Sequence, residues 1–527
     1  MTSEKNTREV MDYDVVVVGA GPSGLSAACR IRQLSIEHKI DLSVCVLEKG
    51  SEVGAHILSG ALMQPTALDE LFPDWKARSA PLNVPVSSDE IFYFTNDKKS
   101  IRFPSFLASR VVHNEGNYVI SLGNFCRWLA DQAEGLGVDI YPGFAASEIL
   151  YDQNDTVIGV ATGDVGLDQY GEHKQSFQPG IELHGKYTLF SEGCRGHLGK
   201  QLISKYKLDQ HSDTQHYALG IKELWEIDPS KHTPGRVMHT FGWPLDYSTG
   251  GGAFCYHLED NLVSIGFVTH LNYTNPHLSP FEEFQRFKLH PETSKYLEGG
   301  TRISYGARAL AKGGLNALPK MSFPGGILIG CDAGTLNAVK IKGNHTAMKS
   351  GMIAAETVVK ALQDGSANTD LTAFEDDFKA SWVFEELYKS RNFVGIMHKF
   401  GTLIGAGLIW IEHNIFGGKI PLNFRDNTTD YGVMKPAKDC KKIDYPKPDN
   451  KLTFDRLSSV FLSNTNHEED QPCHLVLTDP NIPIQHNLPV FDEPAQRYCP
   501  AGVYEIIEEP NGDKRFQING QNCVHCK

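Results

Sequence analysis

The first strong pattern along the chain is the continuous apolar run DVVVV at 14–18, which predicts a strand buried on both faces of a parallel sheet. LSAACRIRQL at 25–34 continues at helical spacing, and a second apolar run, Leu42 to Leu47, predicts the next strand. Tyr187 to Gly199 and Gly326 to Gly334 again run from apolar residues into a glycine turn. Phe393, Ile396, Met397, Phe400, Ile404, Leu408 and Ile411 recur in steps of three and four, which predicts one helix with a single apolar face. Such a helix either packs in a core or lies in a membrane interface, and periodicity does not choose between them. Leu68, Leu71, Phe72 and Trp75 repeat the pattern more weakly after Pro65, with the core reading ahead. The longest apolar stretch, Phe400 to Ile411, falls short of the ~20 residues that cross a bilayer. Lys435 to Asn450, dense in Pro and Lys, reads as a linker.

At 527 residues the chain holds roughly three or four structural units. Its 41% apolar and 22% charged content is that of a globular protein with a large interior. Lys and Arg number 50 against 64 Asp and Glu, and a net charge of −14 opposes binding to a phosphate backbone, so no nucleic-acid partner is expected. The 11 cysteines are scattered and cluster only at the end, which matches a reducing compartment rather than a disulfide framework. Residues 1–13 mix Glu4, Glu9 and Asp12 with Lys5 and Arg8, unlike a signal or transit peptide. As written, the chain is expected to be neither exported nor imported.

Gly19, Gly21 and Gly24 form G-x-G-x-x-G between the first predicted strand and helix. In this motif the first glycine makes the tight turn, the second admits a pyrophosphate, and the third lets helix and strand close up. The helix N-terminus then holds the phosphates. Glu48 ends the second strand 24 residues past Gly24, near the ~20 expected of an acid that accepts hydrogen bonds from ribose hydroxyls. The unit serves FAD and NAD alike. GILIGCDAG at 326–334 has the closing form of an FAD domain, a late strand with a Gly-Asp turn, and makes Asp332 a candidate ribityl or phosphate contact. No second strand followed by G-x-G-x-x-G offers a separate nicotinamide site, so electrons are expected to arrive by another route.

Cys499, Cys523 and Cys526 fall within 28 residues at the end of the chain, the last two as CVHC. A C-x-x-C turn puts both sulfurs on one side, which suits zinc or an iron–sulfur cluster. A four-iron cluster takes four cysteines, so a further cysteine is expected past Lys527, where the sequence reads as stopping short. The alternatives are a zinc site completed by His525, Cys473 or Cys440, and thiols that bind nothing. A flavin and a cluster in one polypeptide would convert single electrons into pairs.

GAGPSGL at 19–25, GAHILSGA at 54–61, EGCRGHLGKQL at 192–202, KELW at 222–225, YGARAL at 305–310, KIKGNHTAMKSG at 340–351, KPAKDC at 435–440, RYCPAGVYE at 497–505 and QNCVHCK at 521–527 stand in one order across the chain. In them the chain resembles the electron transfer flavoprotein-ubiquinone oxidoreductase family over essentially its whole length. The resemblance implies a monotopic membrane enzyme with FAD and a 4Fe-4S cluster, taking electrons from reduced electron transfer flavoprotein and giving them to ubiquinone. The fold it implies is α/β with mixed α+β additions. A Rossmann-like FAD domain would be made of the discontinuous segments 1–110, 140–205 and 300–375. A ubiquinone-binding, membrane-surface domain, 206–299 with parts of 111–139 and 376–434, would be interleaved with it. A ferredoxin-like iron–sulfur domain, 435–527, would follow, truncated at its end.

By the same resemblance Gly251 and Gly252 are the pair whose backbone meets a quinone carbonyl, and Asn344 faces the flavin. Tyr504 hydrogen-bonds near the cluster, and Cys499, Cys523 and Cys526 are its ligands. Leu68, Leu71, Phe72, Phe400, Ile404, Leu408 and Ile411 are implied membrane contacts. The expected location is the cytoplasmic face of a bacterial inner membrane, or the mitochondrial inner membrane for a eukaryotic mature form. Two departures stand out. The fourth cluster cysteine is absent, so a chain ending at Lys527 should hold the cluster poorly, and Gly250 stands where tyrosine is common in related sequences. The rival readings are an FAD-dependent reductase or hydroxylase using NAD(P)H, and a non-catalytic FAD-binding scaffold with a zinc tail.

Overall fold

Valine on both faces of a strand leaves it nowhere to go but between two layers, and that is where the N-terminal run lies. A computed structural model, describing residues 8–58, 60–104 and 110–527, shows it as β1 (Val10–Val18), with Val15, Val16 and Val17 fully buried. Strand β2 (Val44–Glu48) and Glu182–Phe190 flank β1, both parallel to it, in an eight-stranded sheet. Helix α1 (Pro22–His38) starts on a proline, whose fixed φ suits a first turn, and buries Leu25, Cys29 and Ile31 against this sheet. It lies along a second helix, α2 (Asn344–Gln363), so closely that a Cβ on Gly351 would sit 2.3 Å from the Ser23 carbonyl.

The second layer is a seven-stranded, mostly antiparallel sheet. Four of its strands position the site: β3 (Tyr217–Glu226), β4 (Gly251–His257), β5 (Leu262–His270) and β6 (Thr301–Ala311), neighbours in the order β6-β3-β5-β4. Pro280–Lys288 packs Phe281, Phe284 and Phe287 into a core shared with Trp225, Phe267 and Tyr305. Beneath it Lys288 and Glu223, both with no side-chain exposure, pair at 2.9 Å, and Arg302 joins the same carboxylate at 3.2 Å.

Several expected boundaries differ. Ser88–Phe94, Ser100–Phe103 and β6, expected in the nucleotide lobe, are strands of the second sheet; β6 pairs with β3 from Tyr217–Ala311 to Glu226–Thr301. Leu122–Gly135 and Trp382–Lys389 lie in stretches expected partly in the second lobe. They instead put Phe125, Leu129, Val383 and Leu387 into the nucleotide core. Pairings across such sequence distances leave no local trace. Leu68, Leu71 and Phe72 are also corrected: they are 0%, 2% and 2% exposed inside the nucleotide core, so their apolar face meets protein and not lipid.

Phe393–Asn414 (α3) is helical as expected but not straight. Gly401 has φ 71° and ψ 178°, outside the helical region, and breaks it in two. Asn392 Nδ2 donates to Glu412 Oε1 at 2.6 Å, whereas 20 residues of straight helix span about 30 Å, so the halves fold back on each other. Ile396 and Ile409 are buried between them with Phe400 and Leu408 packed alongside, while Ile404 is 65% exposed and Ile411 also faces outward. No helix among the described residues is long and apolar enough to cross a membrane.

The C-terminal segment docks on β6, the edge strand of the second sheet. Ala309 N–H donates to the Cys526 carbonyl at 2.7 Å, and Tyr305 Oη donates to the Pro500 carbonyl at 2.7 Å. An edge that would otherwise expose unpaired backbone is thereby covered.

Candidate active site

The three motif glycines have different surroundings. Gly19 has φ +105°, and a Cβ there would lie 2.6 Å from the Ser191 carbonyl. On Gly24 a Cβ would lie 2.1 Å from the Gly19 carbonyl, so helix and strand meet only because it is absent. On Gly21 it would meet nothing within 4 Å. The space beside Gly21 opens into a cavity of 2710 Å³, above the usual range for one small ligand.

Helices α1 and α2 both begin behind a glycine, Gly21 and Gly343, with no side-chain cap, so their first N–H groups are free to meet an anion. Gly21, Ser23, Gly343 and Asn344 line the cavity, and the buried Ser23 hydroxyl has no hydrogen-bond partner among the described residues. Glu48 lines it too, accepting from Ala20 N–H at 3.1 Å and Gly50 N–H at 2.7 Å. Asp332 does not. Its carboxylate accepts from Glu192 N–H at 3.3 Å and lies against Gly196 and Gly199, while Cys331 takes the cavity wall. Burial and the neighbouring Glu192 charge push the Asp332 pKa well above the ordinary range.

Although the protein carries −14 net charge, this cavity is lined by Lys49, Arg195, Lys200, Lys222 and Arg308. Burial pushes Lys49 and Lys222 down to about 8. Uncapped helix ends, a vacant Cβ position and cations along the cavity wall together fit a dinucleotide diphosphate.

The same cavity reaches Gly251 and Gly252 at the start of β4. Their side chains are excluded by neighbouring backbone: a Cβ on Gly251, φ +149°, would lie 2.2 Å from the Val268 carbonyl, and one on Gly252 2.6 Å from that of Thr240. A Cβ on Gly250 would lie 2.2 Å from His270 Nδ1, so a tyrosine there requires His270 elsewhere. Thr402, Ala406, Ile409 and Trp410 of α3 wall this end.

At the third end stand Cys499, Cys523 and Cys526, around a small core of Ala501, Val503 and Val524. Val503 N–H donates to Cys499 Sγ and His525 N–H to Cys523 Sγ, each at 3.4 Å, the contacts that steady thiolates around a metal. Burial pushes Cys526 up to about 12, so the bare thiol is protonated until a metal charge reverses that preference. Tyr504, pushed up to about 12 by burial and these thiols, stands beside them. Four thiolates hold a four-iron cluster, and these three thiols line one end of the cavity. Cys440 is remote, its Sγ on the Thr274 carbonyl. His474, Cys523 and His525 hold ligand atoms within 4.8 Å of one another, a smaller donor set of the kind zinc takes.

Sequence reasoning overlooked Arg308, although a lone cation between small residues in YGARAL is a signal. It also missed His216, His270 and Lys312, each unremarkable in its own segment, and read His398, beside the apolar helix, as a place where a headgroup could meet it rather than as part of the site.

Three family models match the chain: "ETF-QO, ubiquinone-binding" at residues 217–310, "Electron transfer flavoprotein-ubiquinone oxidoreductase, 4Fe-4S" at 450–527, and "NAD(P)-binding Rossmann-like domain" at 17–73. The electron transfer flavoprotein-ubiquinone oxidoreductase of Pseudomonas aeruginosa is 62% identical over 99% of this chain and 95% of its own. The mitochondrial proteins of that name from Arabidopsis thaliana and Bos taurus are each 51% identical, over 100% and 98% of this chain and 82% and 85% of theirs. Among solved structures, a geranylgeranyl bacteriochlorophyll reductase-like protein from Thermoplasma acidophilum shares the fold with TM-score 0.55 and 19% identity, over 77% of this chain and 97% of that one.

Proposed function

The chain belongs to the electron transfer flavoprotein-ubiquinone oxidoreductase family, and from that premise we propose that the 2710 Å³ cavity is an electron route between three stations. The protein is an oxidoreductase carrying FAD and a 4Fe-4S cluster, and it moves electrons from reduced electron transfer flavoprotein to ubiquinone. When bound, FAD takes up electrons in pairs and the cluster passes them singly, which couples a one-electron donor to a two-electron acceptor.

The residues do the holding. Gly21 leaves room for the diphosphate, the α1 N-terminus neutralises it, and Glu48 accepts from ribose hydroxyls. Asn344 and the α2 N-terminus, which line the cavity, would favour negative charge on a bound flavin. Asp332 acts as a positioning residue through the Glu192–Gly199 loop. Cys499, Cys523 and Cys526 would hold the cluster, and Tyr504 would tune it. Ubiquinone enters beside Gly251 and Gly252, under the α3 hairpin, whose exposed Ile404 and Ile411 rest on the membrane. That seats the enzyme peripherally on the inner membrane, at its cytoplasmic face in a bacterium. The lobes are then the nucleotide layer, the second sheet with α3, and the docked tail.

The observation that carries this reading is that one cavity is lined by Gly21, by Gly251 and Gly252, and by all three cysteines. Anaerobic mixing of the full-length holoprotein with reduced electron transfer flavoprotein should bleach the flavin and raise the EPR signal of a reduced cluster, and ubiquinone should reverse both. Bleaching by NADPH without response to the flavoprotein would favour the reductase rival. Zinc without iron would favour the scaffold.

A further inference from the structure

The rim of the second sheet beside the glycine pair carries ionisable groups that electron transfer does not use. His216 precedes β3, Lys312 follows β6, His270 ends β5 and Gly250 precedes β4. These strands are neighbours, so antiparallel pairing brings all four positions to one edge. His398 of α3 closes over them, and so do Asp426 and Asp430 from the segment after it. Lys312, His270 and Asp430 line the cavity.

The hydrogen bonds assign the protons. His398 Nε2 lies 3.1 Å from Lys312 Nζ and 3.0 Å from Asn272 Nδ2. Both are donors, so Nε2 is the bare nitrogen of a neutral ring, and Nδ1–H donates to Asp426. Asp426 is held in turn by Thr428 N–H at 2.9 Å and its hydroxyl at 2.8 Å. The result is a chain of carboxylate, oriented imidazole and ammonium. One ammonium hydrogen is committed to His398, which leaves the others for the cavity. His216 Nδ1 donates to Asp430 at 2.7 Å, with its Nε2 3.5 Å from Asp426. Behind them Asp213 pairs with Arg425.

We infer that Lys312 is the proton donor to the quinone oxygens, and that His398 and Asp426 are the residues that aim it. This rests on the quinone reading above. Reduction of a quinone to a quinol consumes two electrons and two protons, and both electrons arrive by the flavin route. For each proton a Nζ–H bond of Lys312 breaks, an O–H bond forms, and the neutral amine regains a proton from solvent. Burial pushes Lys312 down to about 8, partly offset by Asp430 and Asp426, which places its ammonium where proton transfer near neutrality is easy. His398 is pushed down to about 4, first by burial and then by Lys312 and His216, so it stays neutral in its orienting role.

The test uses the full-length holoprotein and two acceptors fed by the same flavin: a short-chain ubiquinone, which needs protons, and ferrocenium, which needs none. In the wild type the quinone rate should fall as pH rises through about 8, and the ferrocenium rate should not. Lys312→Met should lower the ratio of quinone to ferrocenium rate about a hundredfold and abolish that inflection. His398→Gln should shift the inflection. Flavin absorbance and circular dichroism report whether each variant is folded and loaded. An unchanged ratio, or both rates falling together, would overturn the assignment of Lys312. A wild type that reduces ferrocenium but not the quinone would instead remove the quinone reading on which the assignment stands.

Discussion

Arg308 donates to the carbonyl of His525 at 3.0 Å, between the two cysteines of the C-x-x-C turn. Its other terminal nitrogen donates to the His56 carbonyl at 3.0 Å, so one half-buried guanidinium ties the cysteine tail to the nucleotide lobe.

A cation fixed there favours the more negative, reduced state of a cluster on these thiolates. Arg308→Gln should therefore lower the cluster's reduction potential by about 60 mV, a tenfold change in a one-electron equilibrium. An EPR-monitored redox titration of the full-length protein reads the shift. An unchanged potential would leave Arg308 only its backbone-tying role.

Gly21 and Gly24 predict opposite phenotypes for the same added methyl group. Gly21→Ala meets no protein atom, so apoprotein stability should change by no more than about 0.5 kcal/mol while FAD occupancy falls. Gly24→Ala drives helix from strand and should lower melting temperature and occupancy together. Thermal melts beside flavin-to-protein ratios separate the two.

Lys222 is half-buried, its Nζ 2.9 Å from the Gly60 carbonyl, and loss of solvent around it pushes it from 10.5 down to about 8. Because the folded value is the lower one, the unfolded chain binds more protons between about 8 and 10.5, and stability gains from this residue as pH rises there. Lys222→Met should stabilise by about 3 kcal/mol below pH 8, with the advantage shrinking toward pH 10.5. Paired urea melts at several pH values measure it; a constant difference would contradict the shift.

Two isoleucine- or leucine-to-polar changes distinguish membrane face from core. Ile404→Ser should weaken vesicle co-sedimentation about tenfold, since docking one aliphatic side chain is worth roughly 1.5 kcal/mol, and should leave the melting temperature alone. Leu68→Ser should instead destabilise the fold by about 3 kcal/mol.

What could be read from the sequence was what neighbours in sequence decide. Strand, glycine turn, helix, second strand and Glu48 follow one another within 50 residues, and each limits the next. For Leu68, Leu71 and Phe72 periodicity puts the core ahead while the resemblance implies lipid, because an apolar face does not say what covers it. Gly401 also passed unnoticed, because the apolar spacing continues across it; only the Asn392–Glu412 contact reveals the fold-back. The polar rim was least legible of all. His216, His270, Lys312 and His398 come from four segments that only antiparallel pairing and the α3 hairpin bring together.

The second half of the α3 hairpin works on both its sides. Thr402, Ala406 and Ile409 wall the interior space, while Ile404 and Ile411 turn away from it. On the proposed membrane docking, a carrier with an oily tail would present its ring inward while the tail stays dissolved where it already was. The wetting penalty for extracting such a tail, about 0.8 kcal/mol for every methylene, would then never be incurred.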